Sequence, residues 1–199
     1  MSKARFLASL GYFLLAVPYF ITVFTGYIIA GIAWIILGGS TSKKSFITLG
    51  VFFTLMASVL IAATVLVRVV VDFGSLQMVY EDTAITITYI IVVGTLVKLA
   101  LEALVFRAAG REWSSRILRV ASTVSLISLI LTATGFVLIN RLQVLSIREH
   151  VGVLISSGVL LALVNNVIAA IGLLSAKVKS ETPINTPEEQ TSCVLENSS

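Results

Sequence analysis

Apolar residues fill five long blocks of this chain, and the charged residues lie almost entirely between the blocks. The blocks cover residues 6–37, 46–71, 83–106, 117–139 and 151–176. A helix needs about 20 mostly apolar residues to cross a hydrocarbon core of about 30 Å, and each block reaches that length. The pattern therefore predicts an all-α fold, an integral membrane helical bundle of five or six transmembrane helices.

The number of helices in the first block, Phe6 to Leu37, is ambiguous. It is long for one span and short for two full spans at about 1.5 Å per residue. Pro18 lies near its middle, and proline removes a backbone donor and clashes with the preceding turn. We therefore expect a break near Pro18. Two arrangements stay open, namely a short interfacial or re-entrant helix before one span, or a tight helical hairpin.

The charges between the blocks predict an orientation. Short loops rich in Lys and Arg remain on the cytoplasmic side of a membrane. Segments 38–45 and 107–116 and the exit after residue 176 are basic, whereas segment 72–82 is acidic. Segment 140–150 fits less well, because it places two arginines on the outer side. We expect a multi-pass protein of the plasma membrane with a cytoplasmic C-terminus, whereas the side of the N-terminus depends on the first block.

Composition favours one membrane domain. Only 12% of the residues are charged and 57% are hydrophobic, whereas a soluble domain carries about 25% charged residues. Residues 1–179 are therefore predicted to form a single transmembrane helical domain. Residues 180–199 contain two prolines, several acidic residues and no apolar periodicity, so we expect a disordered polar tail.

The net charge of +4 does not indicate nucleic-acid binding, because the basic residues cluster at the ends of the apolar blocks. There they contact lipid headgroups and set topology. Membrane lipids are thus the expected partners. Four arginines are candidate contacts for anionic headgroups, at about 1 kcal/mol per residue near the surface: Arg107, Arg111, Arg116 and Arg119.

Lys98 and Glu102 are the most informative polar pair. They lie four residues apart in the third block, so both are on one helix face and each can neutralise the other. A charged side chain at the centre of a span costs about 2.5–3.5 kcal/mol on insertion scales. The pair could line a polar pathway. The favoured interpretation is that both side chains snorkel to the cytoplasmic interface, with Glu102 also reaching Arg107.

Asn165 and Asn166 lie near the centre of the fifth block. Lipid offers an amide no hydrogen-bond partner, so each needs a partner within the protein. Adjacent helical residues point about 100° apart, and we therefore expect the two amides to contact different helices. A substrate or ion contact is the alternative to this structural role.

Three hydroxyl residues, Ser125, Ser128 and Thr132, follow one stripe of the fourth block at three- and four-residue spacing. Such a stripe can line a wet cavity. We favour packing against another helix, with the hydroxyls bonding back to the carbonyl one turn earlier.

Sequence motifs for catalysis or cofactor binding are absent. The chain has no HExxH, no GxSxG and no phosphate-cradling glycine loop. Its single cysteine, Cys193, and single histidine, His150, exclude an internal disulfide, a thiolate metal cluster and a bis-histidine haem. We therefore predict no enzymatic activity, no cofactor and no metal.

The opening stretch FLASLGYFLLAVPYF, followed by GYIIAGIAWIILGGSTSKKSFITLG, resembles small archaeal polytopic membrane protein families of unknown function. The later stretch VFRAAGREWSSRILRVASTVSLISLILTATGFVLI is similar to their middle region. The resemblance implies an archaeal-type plasma membrane and no catalytic residues.

Two functions are consistent with these observations, and the sequence favours the first, with the second as the alternative. The first is a non-catalytic structural or accessory component of a homo-oligomer or a larger membrane complex, favoured by hydroxyl and small-residue faces suited to helix packing. The second is a small transporter or channel whose polar pathway lies near Lys98, Glu102, Asn165 and Asn166. The broken first block favours the second, since interrupted helices form binding sites in transporters.

Overall fold

The computed structural model describes residues 2–72, 77–141 and 145–176, and these residues form six helices and no strand. The predicted all-α bundle is therefore confirmed. The predicted tail, 180–199, lies outside the described residues. The helices are α1 (Ser2–Ala16), α2 (Phe20–Thr41), α3 (Lys44–Asp72), α4 (Gln77–Glu112), α5 (Arg116–Arg141) and α6 (Leu145–Ser175).

Five of the helices are long and apolar enough to cross a membrane. Their mean hydropathy lies between 1.9 and 2.4, and at most 39% of the residues in each span are buried inside the bundle. Large apolar side chains such as Leu104 and Val153 are each 66% exposed on the outer surface. A lipid environment explains such a surface, and the chain is a multi-pass integral membrane protein. The spans are Phe20–Thr41, Lys44–Leu66, Thr86–Glu112, Arg116–Leu138 and Gly152–Ser175.

The first apolar block folds as a helical hairpin. Helix α1 ends at Ala16 and α2 begins at Phe20, so the break lies at Pro18 as predicted. The two helices are antiparallel, because Gly11 meets Ala30 while Gly26 meets Leu15. Helix α1 has 15 residues and is thus about 22 Å long. It lies beside α2 rather than along the interface, so the hairpin is the arrangement that the structure adopts.

The turn of this hairpin is held by side-chain hydrogen bonding. The Thr22 hydroxyl lies 2.8 Å from the Val17 carbonyl and 2.7 Å from the Tyr19 carbonyl. Pro18 has no N–H to donate to the Leu14 carbonyl, and that carbonyl accepts from the Val17 N–H at 3.2 Å instead. The Val17 and Tyr19 carbonyls also accept from the backbone N–H groups of Tyr19 and Val23, so the Thr22 hydroxyl adds a further bond within the turn.

The six helices form a closed ring of antiparallel neighbours. Each helix packs on the next along the chain, and α6 packs back on α1. The α1–α6 contact is marked by Ser9, whose hydroxyl donates to the Ala170 carbonyl at 2.9 Å. The start of α1, the α2–α3 turn, the α4–α5 turn and the end of α6 therefore share one end of the bundle, here called the basic end.

Contacts at the basic end tie these segments together. The Arg5 guanidinium donates to the Ala176 carbonyl and lies 5.6 Å from the Trp113 ring centroid. Lys43 pairs with Glu112 at 3.0 Å across the α2–α3 and α4–α5 turns. The N-terminus and the end of α6 are therefore neighbours.

Aromatic side chains fill the core between α1, α2, α3 and α4. The Trp34 ring stacks on Trp113 with centroids 6.4 Å apart, and its indole N–H donates to the Tyr12 hydroxyl at 3.3 Å. Such pairs are worth about 0.5–1.5 kcal/mol each beyond their buried area. The buried rings of this core are Tyr12, Tyr27, Trp34, Phe46, Phe53, Phe106 and Trp113.

Among the residues that the structure describes, helices α3 and α4 share less contact than the other neighbouring pairs. They meet where Gly94 faces the Met56 side chain. Farther from the basic end they leave an apolar crevice of about 340 Å³. It is lined by Val59, Ala62, Ala63, Leu66, Ile87, Ile90 and Ile91.

A candidate functional site in the centre of the bundle

Lys98 and Glu102 form an ion pair inside the helical bundle. The Lys98 ammonium lies 2.8 Å from Oε1 of Glu102, and the two side chains are 7% and 0% exposed. The snorkelling interpretation is therefore wrong. Helix α4 continues past the apolar block to Glu112, so the pair lies about 15–21 Å from the helix end. Its side chains point into the ring rather than along the helix surface.

The Lys98 ammonium also contacts a second helix. It lies 3.3 Å from Oδ1 of Asn166 on α6 and 5.9 Å from the centroid of the Phe53 ring on α3. An ammonium group has three donors and no acceptor. Lys98 thus joins α4 to α6 through its hydrogen bond to Asn166, while its ion pair with Glu102 lies within α4.

The Glu102 carboxyl group has fewer hydrogen bonds among the described residues than the Lys98 ammonium group. Neither of its oxygens has a well-aligned hydrogen bond within the described part of the chain. The Tyr12 phenol on α1 faces this carboxyl group and interacts with it. The predicted contact with Arg107 is wrong, because Arg107 lies on an exposed cavity instead. Lys98 is the ion-pair partner of this buried carboxylate among the described residues.

The two asparagines contact different helices, as predicted. The Asn166 amide donates to the Leu15 carbonyl on α1 at 3.0 Å, while the Asn165 amide donates to the Ser125 hydroxyl on α5 at 2.7 Å. Asn166 therefore links α1, α6 and α4 through its two polar atoms. Oδ1 of Asn165 is buried without a hydrogen-bond partner in the described ranges.

The hydroxyl stripe of α5 packs against α6. Ser125 accepts from Asn165, Ser128 donates to the Gly158 carbonyl at 2.6 Å, and Thr132 lies against Gly158. The packing interpretation is confirmed. The expected bond back to the same helix is wrong for Ser128, whose donor crosses to α6 because Gly158 lets the two backbones approach. It is also wrong for Thr132, whose buried hydroxyl has no hydrogen-bond partner among the described residues.

Sequence reasoning missed the contribution of α1. Arg5, Ser9 and Tyr12 are buried at 7%, 1% and 0% exposure, and they face α6 and the aromatic core. Their spacing of four and three residues places them on one helix face. That periodicity was the available signal, and it marks α1 as a helix with a polar buried side.

The predicted arginine cluster separates into two groups. Arg107, Arg111 and Arg119 line a cavity of about 480 Å³ between α4 and α5, whereas Arg116 is not among its lining residues. All four side chains are exposed. The cavity lies at the basic end and is distinct from the buried pair.

The described residues contain no group of three or more His, Cys, Asp or Glu side chains that could hold a metal ion. No protein-family model, curated protein or solved structure matches this chain. The archaeal resemblance therefore stays a prediction, and the functional argument rests on the geometry of the bundle.

Proposed function

We propose that this protein is a small, non-catalytic membrane transporter for a monovalent cation, H⁺ included, in which Glu102 is the exchange site. The observation that supports this proposal is the sealed Lys98–Glu102 pair near the middle of the Thr86–Glu112 span. Ionisable residues at such depth are costly, and they mark ion or proton pathways by default. Apolar residues of similar volume would often stabilise a buried site equally well or better.

The proposed exchange follows from the incomplete bonding of the Glu102 carboxylate. The Glu102 carboxylate has an ion-pair partner in Lys98 but no well-aligned hydrogen bond among the described residues. An incoming cation or proton would neutralise the carboxylate in place of Lys98. The ammonium group would then be released toward Asn166, which already holds it at 3.3 Å. Occupancy of one carboxylate would thereby alter the contact between α4 and α6.

The site is coupled to the hairpin of α1 and α2. Asn166 also binds the Leu15 carbonyl, one residue before the end of α1, at 3.0 Å. A ligand shifts a conformational equilibrium only by its differential affinity for the two states. Here the contacts that would differ between the two states are the hydrogen bonds from Lys98 to Asn166 and from Asn166 to Leu15. They would change when Glu102 is neutralised.

We also propose that the basic end faces the cytoplasm, in the plasma membrane. The hairpin brings Lys3 and Arg5 to the same end as Lys43 and Lys44. Short segments rich in Lys and Arg remain cytoplasmic. Both termini of the described domain would then be cytoplasmic.

A second candidate is the structural or accessory role in a homo-oligomer or membrane complex. The polar groups of the bundle centre bond mainly to one another across α1, α4, α5 and α6. Such a network also serves to fix helix packing. The apolar crevice between α3 and α4 would then receive a helix of a partner.

The test is flux in liposomes that contain the purified full chain, with imposed gradients of H⁺, Na⁺ or K⁺ and a trapped indicator that responds to the cation under test. We expect flux of one of these cations in the unaltered protein. Its rate should fall about tenfold or more in Glu102→Gln and should be unchanged in Glu112→Gln. Glu112 is the matched control, because it lies on the same helix but its side chain is 41% exposed. Glu102→Asp keeps the negative charge. Flux retained in this variant would show that the loss in Glu102→Gln comes from the missing carboxylate and not from misfolding.

Two results would favour the accessory role instead. One is the absence of flux under every gradient from a correctly folded protein. The other is recovery of a partner in fixed stoichiometry after purification from native membranes in mild detergent.

A further inference from the structure

The cavity between α4 and α5 at the basic end combines positive charge with an apolar wall. Arg107 and Arg111 come from α4 and Arg119 from α5, while Leu104 and Leu126 line it toward the membrane centre. Its volume of about 480 Å³ lies within the range of small-molecule sites, about 300–1,000 Å³. Leu104 and Leu126 are 66% and 48% exposed, so the apolar wall faces lipid.

The charge of this cavity is not neutralised by its own lining. Its lining residues include three guanidinium groups and no carboxylate. The nearby acidic residue Glu112 is already paired with Lys43 at 3.0 Å. Arginine presents a planar fork of donors that matches phosphate oxygens in a bidentate manner. The cavity is therefore suited to an anion that carries a phosphate.

The close approach of the two helices positions one of the arginines. A Cβ atom added at Gly110 would lie 2.8 Å from Cγ of Arg119 and 3.1 Å from its backbone nitrogen. The stem of Arg119 thus lies directly over Gly110. A larger residue there would displace the arginine from the cavity edge.

We infer that this cavity binds the phosphate headgroup of an anionic lipid, with an acyl chain lying along Leu104 and Leu126. The apolar wall favours a lipid over a free phosphate ion, because a soluble anion gains nothing from it. Basic pockets between transmembrane helices bind anionic headgroups in this manner. The inference does not depend on transport, since it concerns a surface separate from Glu102.

The test is lipid binding by the detergent-purified full chain, measured by thermal stabilisation and by native mass spectrometry. Phosphatidylglycerol is the anionic probe, phosphatidylcholine the zwitterionic control and inorganic phosphate the soluble control. We expect phosphatidylglycerol alone to stabilise the protein and to remain bound. Arg111→Gln should weaken its binding about fivefold, which corresponds to the usual contribution of one basic residue near a membrane surface.

Arg116→Gln is the matched control, because Arg116 is exposed on the same turn but does not line the cavity. We expect it to bind as the unaltered chain does. Arg111→Lys keeps the charge without the fork, and its affinity should fall between those of the unaltered chain and Arg111→Gln.

Three results would overturn the inference. Equal loss in Arg116→Gln and Arg111→Gln would mean that the charge acts diffusely rather than through a site. Equal stabilisation by phosphatidylcholine would remove the role of the anion. Equal stabilisation by inorganic phosphate would assign the cavity to a soluble phosphate instead of a lipid.

Discussion

Lys98 and Glu102 place two opposite charges where lipid and helix packing both exclude water. Each charge is acceptable there only because the other is 2.8 Å away. Removing one partner of a buried pair leaves an uncompensated charge, which costs about 3–5 kcal/mol, whereas removing both costs far less. The stability of the bundle should therefore depend on the pair as a unit.

Lys98→Met should lower the free energy of unfolding by about 3–5 kcal/mol, because it leaves the Glu102 carboxylate without its cation. The double variant Lys98→Met with Glu102→Gln should recover most of this loss. Both are measured by denaturant titration in detergent, arranged as a double-mutant cycle. Additive single effects would show that the pair is not coupled.

Asn166→Ala should cost about 0.6–2 kcal/mol, because it removes the hydrogen bonds to Leu15 and Lys98 across two helix interfaces. The matched control is Thr95→Val, since the Thr95 hydroxyl bonds only to Ile91 of its own helix at 2.8 Å and is exposed. We expect the control to change stability by less than about 0.5 kcal/mol. Thermal unfolding in detergent distinguishes the two, and equal losses would contradict the interhelical role.

For individual residues, the sequence predicted that Lys98 and Glu102 pair, but not that the pair is buried deep in the bundle. The four-residue spacing of Lys98 and Glu102 and the divergence of the two asparagines follow from helix geometry alone. The distance of the pair from the end of α4 did not follow from the sequence. The apolar block ends at Phe106, whereas the helix continues to Glu112. The partner of Asn166 could not be predicted either, since Leu15 is 151 residues away.

Among the helices, the α1–α2 hairpin depends on small residues at its seam. A Cβ atom at Gly11 would lie 2.6 Å from the Ala30 backbone nitrogen, and one at Gly26 would lie 2.9 Å from the Gly11 carbonyl oxygen. Small residues let membrane helices approach until their backbones touch. Pro18 predicted the break, but only these tertiary contacts decide that α1 folds back on α2.

Gly11→Ala should destabilise the protein by about 1–3 kcal/mol, because the added methyl group forces the two backbones apart. Gly39→Ala is the control, since a Cβ atom there meets nothing within 4 Å. The control should be neutral or stabilising, because alanine is the better helix former by about 1 kcal/mol. Unfolding midpoints of the two variants test this, and a shift of the same sign in both would argue against the seam.

For the whole molecule, ring closure requires both ends of the domain to lie on one side of the membrane. The starting background for a labelling test is Cys193→Ser, which removes the single native thiol. Lys3→Cys and Ser42→Cys should then react with an impermeant thiol reagent from one side. Gln77→Cys, at the start of α4, should react from the other.

Labelling of Lys3→Cys from the same side as Gln77→Cys would contradict the hairpin and the ring. The charges on segments 38–45 and 72–82 predict which side is cytoplasmic. They did not decide the side of the N-terminus, because Lys3 and Arg5 favour a hairpin whereas the length of the first block favours a single span. Arg5 reaches the Ala176 carbonyl only in the folded ring.

The contact between α1 and α6 also sets an order of events during synthesis. Ribosomes add about 5–20 residues per second, so α1 enters the membrane about 10–30 s before its partner residues on α6 exist. Until then Arg5 and Ser9 lack the carbonyls of Ala176 and Ala170. A chain interrupted before α6 would leave one wall of the bundle missing and Lys98 without Asn166, so polar groups of α1 and α4 would face lipid unpaired.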